Sequence, residues 1–149
     1  MWLPPTSRGG CSNPPHANTG VRATALGTLV AVGAPAMALS WRQRTVVQTD
    51  RIETIADGVA GRCPIPEVLD DLLIVLDDVM LVREDSIKAG MRMIYEHAGL
   101  VVEPSAALGV AAVLEEPERF AGRRVTTILC GSNVGPADFA RWVLEPVSR

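Results

Sequence analysis

The segment from Asp78 to Cys130 constrains this chain more than any other part of it. "DVMLV" is a short apolar run with the β-branched residues of a strand. It leads directly into Ser86–Ala98, where Ile87, Met91, Ile94 and Tyr95 recur at helical spacing. Glu84 and Asp85 stand where a helix N-terminus favours negative charge, and Gly99 is a natural stop. "EPSAALGVAAVLEE" then predicts a second helix whose Ala and Gly faces allow close packing against a sheet. "RRVTTILC" predicts a buried strand ending at Cys130. Strands alternating with helices place the chain in the α/β class.

The preceding residues extend that pattern. "PAMALSW" predicts a short helix with Pro35 tolerated in its first turn, "TVVQ" a brief strand, and "TIADGVAG" a turn-rich loop around Asp57-Gly58. "PIPEVLDDLLIVL" predicts a helix with Val68, Leu69, Leu72 and Leu73 on one face, and "PADFARWVL" a final helix opening near Pro136. Residues 1–32 are assigned to an irregular leader, because the first twenty are dense in Pro, Gly, Ser and Asn, and residues 33–149 to the folded domain. The uncharged stretch Ala23–Leu39 is too short for a transmembrane helix and is broken by Gly27, Gly33 and Pro35. Arg22 before this apolar run and the small-residue "APAMA" leave a signal peptide as the alternative.

Composition excludes several function classes. A net charge of −3, scattered basic residues and 4% aromatics give neither the electrostatic footprint nor the stacking platforms of a nucleic-acid binder. Cys11, Cys63 and Cys130 form no CxxC or Cys/His ligand pattern, and their odd number suits a reducing cytoplasm better than a disulfide framework. The pairs Asp70-Asp71 and Asp77-Asp78 read as a solvated helix face and a strand entry, since adjacent helical positions do not converge on one ion. No metal site is expected. His16 lies in the leader and His97 near a helix C-terminus, so neither is a candidate base. Against thirteen arginines there is one lysine, Lys88, on the polar side of its helix, where solvent exposure is the expectation.

Cys130 has two readings on the residues alone. It stands at the carboxyl end of a predicted strand, before the turn "GSNVG", which is where ligands gather in open α/β sheets. Cysteine is also among the most buried residue types, and on the residues alone a small hydrophobe capping a core strand is the more ordinary reading. Asn133 between Gly131 and Gly135 is ordinary turn chemistry.

Taken in order, "GAPAMALSW", "ETIADGVAGRCPIPEVLDDL", "DDVMLVREDSIKAGMRMIYEHAGLVVEPSAALGVAAVL" and "VTTILCGSNVG" resemble the later part of the pyridoxal-phosphate-dependent serine/threonine dehydratases, relatives of serine racemase. The resemblance runs from about Gly33 to Gly135. It implies part of a tryptophan-synthase-β-like fold (fold type II), a mostly parallel sheet with packed helices. The implied cofactor is pyridoxal 5'-phosphate, and the implied reaction is deaminating elimination from a hydroxy amino acid, giving a 2-oxo acid and ammonia.

Four cofactor-binding residues follow from the resemblance: Cys130 facing the pyridine nitrogen, Gly58 where backbone passes close to the ring, Glu103 near the ring edge, and Asn133 fixing the turn. Glu103 also has a structural reading, as a carboxylate at a helix start. The family's Schiff-base lysine and glycine-rich phosphate loop belong to its earlier half and have no counterpart here, so no catalytic residue is assigned. Leu29 stands near the place of an acidic metal ligand found in some relatives. Three functions stay open: a truncated dehydratase acting on a small amino acid, a silent fragment or partner module of a split enzyme, and an exported small binding protein. The partners to be considered are a second copy of the chain or a complementing N-terminal half, with neither nucleic acid nor membrane expected.

Overall fold

The computed structural model describes residues 25–145. Two strands, β1 (Gly27–Ala31) and β2 (Asp78–Val82), pair in parallel, with Gly27 opposite Asp78 and Ala31 opposite Val82. Parallel neighbours require a long crossover, and α1 (Ala36–Gln43) and α2 (Pro66–Val75) supply it. After β2 come α3 (Glu84–Ala98), α4 (Pro104–Glu115), a single-turn α5 (Pro117–Phe120), and α6 (Pro136–Phe139), which runs into a π-helical turn at Ala140–Leu144.

Period-two alternation of the strands explains the layering. Leu29, Ala31, Met80 and Val82 face α3 and α4, packing with Ile87, Leu108, Ala111 and Ala112. Val30, Val79 and Leu81 face the opposite way, onto Ala38, Trp41 and Leu76. Both faces of the ribbon are therefore covered, which is why its strands read as apolar runs without polar alternation. A second cluster, Met91, Ile94, Val102, Ala106, Ala107 and Val143, joins α3, α4 and the C-terminal turn. Tyr95 is partly exposed and stacks edge-on to Phe139, ring centres 5.3 Å apart.

The helix pair α3/α4 is built on a close approach. A Cβ added at Gly90 would lie 3.0 Å from the Ala107 carbonyl oxygen and 3.1 Å from the Ala111 nitrogen. Gly99 ends α3 in the left-handed conformation at φ 66°, its N–H donating to the Tyr95 carbonyl. At the other end, Glu115 of α4 accepts from the Arg83 backbone at 3.0 Å and pairs with its guanidinium at 2.8 Å, tying the end of one helix to the entrance of the other. Burial alone would raise the Glu115 pKa. Hydrogen bonds from the Arg83 backbone and from Ser86, with the Arg83 charge, outweigh that and hold it below the usual glutamate value.

Several sequence expectations change. Regular structure begins earlier than residue 33: Gly27–Ala31, placed by sequence within the leader, is β1, with Val30 and Ala31 buried. The leader reading of residues 1–24 lies outside the described residues, whereas the apolar run offered as a signal peptide holds, from residue 25 to 39, β1 and the first half of α1. "TVVQ" forms no strand, because the backbone of Val47 bonds to a side chain instead. The Val47 N–H donates to Ser40 Oγ at 2.8 Å, while the fully buried Ser40 hydroxyl donates to the Ala36 carbonyl at 2.7 Å. "RRVTTILC" is neither a strand nor buried. β1 and β2 pair with each other, and the segment instead presses Thr127 onto Gly109 of α4, leaving Ile128 79% exposed. In α2 Val68 turns outward and Leu69 alone is fully buried. Lys88 is half-buried beside Asp85, Nζ to Oδ1 3.5 Å, instead of standing free in solvent. Among the described residues no helix is long and apolar enough to cross a membrane.

Candidate functional site

Glu103 is the centre of the site. Pro104 opens α4, and Glu103 precedes it in extended conformation, φ −74° and ψ 160°, without capping its own helix through its side chain. The residue bonds instead to a turn about thirty positions along the chain. Its backbone N–H donates to the Gly131 carbonyl at 3.1 Å, and its Oε2 accepts from the Asn133 N–H at 3.2 Å. The two bonds bracket the Cys130–Asn133 turn from both sides. Gly131 takes φ +88°, and a Cβ there would collide with the Glu103 carboxylate. Glycine is needed at this position for both reasons.

Gly58 reaches the same place from the other side. It lies in a 3₁₀ turn, Asp57–Val59, where a Cβ would sit 2.8 Å from Ser105 Oγ and 3.4 Å from Glu103 Oε1. The loop leading to it is held by two side chains: Thr54 Oγ1 accepts from the Ala56 N–H at 3.0 Å, and Glu84 Oε2 accepts from the Ile55 N–H at 2.9 Å. Ser105 Oγ and Glu84 Oε1 are buried and have no hydrogen-bond partner among the described residues. Buried polar atoms are seldom left so.

Three of the four residues singled out by sequence, Gly58, Glu103 and Asn133, are thus assembled from segments 30 or more residues apart. Asn133 makes its contact through the backbone N–H, while its side chain is exposed. Cys130 borders the turn directly, with its thiol exposed and unbridged, so the reading of a cysteine capping a packed core strand does not hold. Two clefts lie elsewhere. One of about 280 Å³ is walled by Leu29, Met37, Cys63 and Val68, and a shallower one of about 410 Å³ by Thr49, Asp50, Arg51 and Glu53; neither is lined by Glu103, Cys130 or Asn133. No group of three potential metal ligands converges among the described residues.

Ser105 and Glu84 were not selected from the sequence. Ser105 is visible inside "EPSAA", but a serine in the first turn of a helix reads as capping chemistry. Glu84 reads as a dipole partner of α3, and its reach to Ile55 depends on tertiary placement.

Residues 17–131 match the sequence profile of the family described as "Pyridoxal-phosphate dependent enzyme". The chain belongs to this family. Its match ends inside the turn that Glu103 holds. Human serine racemase is 34% identical over 98 residues, covering 62% of this chain and 28% of the racemase. Phenylserine dehydratase of Ralstonia pickettii is 30% identical over 110 residues, covering 73% of the chain and 34% of the dehydratase. Among solved structures, maize serine racemase superposes with a TM-score of 0.66 at 28% identity, covering 76% of this chain and 36% of that one. The described residues therefore form part of the fold of the fold type II pyridoxal-phosphate enzymes, and the family's cofactor is pyridoxal phosphate. The chain spans about a third of the length of these relatives.

Proposed function

We propose that this chain forms the ring-edge side of a pyridoxal-phosphate site in a dehydratase acting on a small hydroxy amino acid, releasing a 2-oxo acid and ammonia. The observation that carries this reading is the pair of hydrogen bonds between Glu103 and the turn after Cys130, with Gly58 against the same carboxylate. The residues suit the cofactor's chemistry. Two glycines keep Cβ atoms away from the Glu103 carboxylate, the buried Ser105 hydroxyl has no hydrogen-bond partner among the described residues, and an exposed thiol adjoins the turn. When bound, the cofactor supplies an electron sink for the carbon that loses its proton.

Cys130 would face the pyridine nitrogen. A thiol does not hold that nitrogen protonated as a carboxylate does, which favours elimination of a β-hydroxyl over reactions needing a deeper sink. Glu103 and Asn133 would keep the thiol in place, and Gly58 would leave room for the ring. The reaction also needs an imine-forming lysine. Lys88, the one lysine of the chain, is engaged with Asp85 on α3. The activity is accordingly proposed for an assembly in which other polypeptide supplies the lysine and the phosphate loop.

The bare flank of Val125, Ile128 and Leu129 favours such an assembly, being the kind of surface a neighbouring strand covers. Cys63 and Cys130 are exposed and form no disulfide among the described residues, which suits a reducing compartment. The test is complementation: the chain is mixed with a polypeptide carrying a family lysine and phosphate loop, and 2-oxo acid and ammonia are assayed from serine and threonine. Turnover is expected with the native chain and with Cys130→Ser, whereas Cys130→Asp changes the ratio of products. Identical behaviour of the two variants would remove Cys130 from the site.

A further inference from the structure

We propose that Glu84 is a positioning residue of the site, holding the 54–58 loop so that Gly58 meets Glu103 and Ser105. The inference rests on the cofactor reading for its purpose, but not for its geometry. Glu84 is the first residue of α3, and its carboxylate does not cap that helix. Oε2 accepts the Ile55 N–H at 2.9 Å, across 29 positions of sequence. One residue on, Ala56 is fully buried in the core beside Met80 and Ile87. The Val59 N–H returns to the Ala56 carbonyl at 3.2 Å to close the turn that carries Gly58.

The chain of contacts therefore runs from the start of α3, through Ile55 and Ala56, to the glycine wall. Two helix starts divide the work. Glu84 at the head of α3 fixes one wall, and Glu103 at the head of α4 fixes the other through Asn133. The helices themselves are locked together where Gly90 meets Ala107 and Ala111.

Glu84 Oε1 strengthens the case. A carboxylate that served only the helix dipole would do so from solvent at little cost. This one has a buried oxygen without a partner among the described residues, and that cost is sustained when the other oxygen has a positional task. Local fixation, not overall stability, is then what Glu84 contributes.

Hydrogen–deuterium exchange on the full chain, read by NMR at individual amides, tests this without cofactor. Glu84→Ala should speed exchange at Ile55 and through residues 56–60 by on the order of tenfold. The amides of Met91, Ala111 and Asn133 should keep native rates. Glu84→Gln retains a carbonyl acceptor and should restore slow exchange at Ile55. Glu84→Asp keeps the charge but shortens the reach, and should loosen 55–60 alone; it decides the matter if the alanine variant does not fold.

Native exchange at 55–60 in Glu84→Ala, a uniform acceleration that includes Met91 and Ala111, or a Gln variant as loose as Ala would overturn the proposal. A parallel titration with 4'-deoxypyridoxine 5'-phosphate, which needs no lysine, separates the two readings. Failure of the native chain to bind it when complemented by a polypeptide carrying the phosphate loop counts against the cofactor assignment, while the exchange pattern still decides the role of Glu84.

Discussion

Gly131 and Glu103 test the site at the level of single atoms. An alanine at Gly131 meets two penalties: a left-handed backbone unfavourable for any residue with a Cβ, and overlap with the Glu103 carboxylate. Together they should cost about 2–4 kcal/mol in urea unfolding. Glu103→Ala alone leaves the Asn133 N–H to water, at a cost of about 1 kcal/mol. In the double variant only the backbone penalty of Gly131→Ala remains, so the two changes should be non-additive by at least about 0.5 kcal/mol. Simple additivity would mean that the carboxylate does not occupy the space where the structure places it. The sequence shows such residues unevenly at this scale. Gly58 and Glu103 stand out within motifs, but the contacts of Asn133 and Ile55 are made by backbone N–H groups, which every residue except proline carries and no side-chain pattern reveals.

Among the elements, α3 and α4 were the most legible, because periodicity and helix stops are local signals. α3 ends at the expected glycine, and both of its first-turn acids are in place. What the pattern did not give is the reason for Gly90, which is the approach of α4. Gly90→Val should destabilise the chain by about 1–3 kcal/mol by forcing the helices apart, although valine is the better helix former; a thermal midpoint at or above the native value would contradict the close packing. The predicted strand at 125–129 failed for the complementary reason. A β-branched run is a strand only where a neighbour accepts its hydrogen bonds, and neither β1 nor β2 does so for this one. "TVVQ" fails because the buried Ser40 hydroxyl competes for the Val47 backbone.

The tie between these helices has a pH signature. The Glu115 pKa is depressed on folding, so its contribution is fully present above the unfolded carboxyl value and is lost as pH falls through the folded one. Glu115→Gln should therefore lower the thermal midpoint at pH 7, and the difference from the native chain should close in acid. A gap that stays constant into acid would assign the effect to packing.

The described residues form a two-strand parallel ribbon covered on both faces, with the candidate site at the start of α4 and the 54–58 loop that leads to it anchored by a carboxylate at the start of α3. Family order along the chain made the α/β class legible, and with it three residues, Gly58, Glu103 and Asn133, that the fold brings together. The extent of the sheet was not, since pairing depends on which strands are brought side by side. The exposed flank at Val125, Ile128 and Leu129 makes a further expectation at this scale: a complementing polypeptide should protect the amides of 125–130 from exchange on binding, and unchanged exchange there would place the partner elsewhere.

The account depends most on Cys130, Glu103 and Gly58 bordering a cofactor ring, and an NMR titration with pyridoxal phosphate of the isotope-labelled chain, assembled with an unlabelled polypeptide carrying the family lysine and phosphate loop, measures this directly. Saturable shift changes centred on Gly58, Glu103 and Gly131–Asn133 are the expected result. Saturable changes centred instead on the apolar cleft around Leu29, Met37 and Cys63, or no change at the Cys130 turn up to millimolar cofactor, would contradict it.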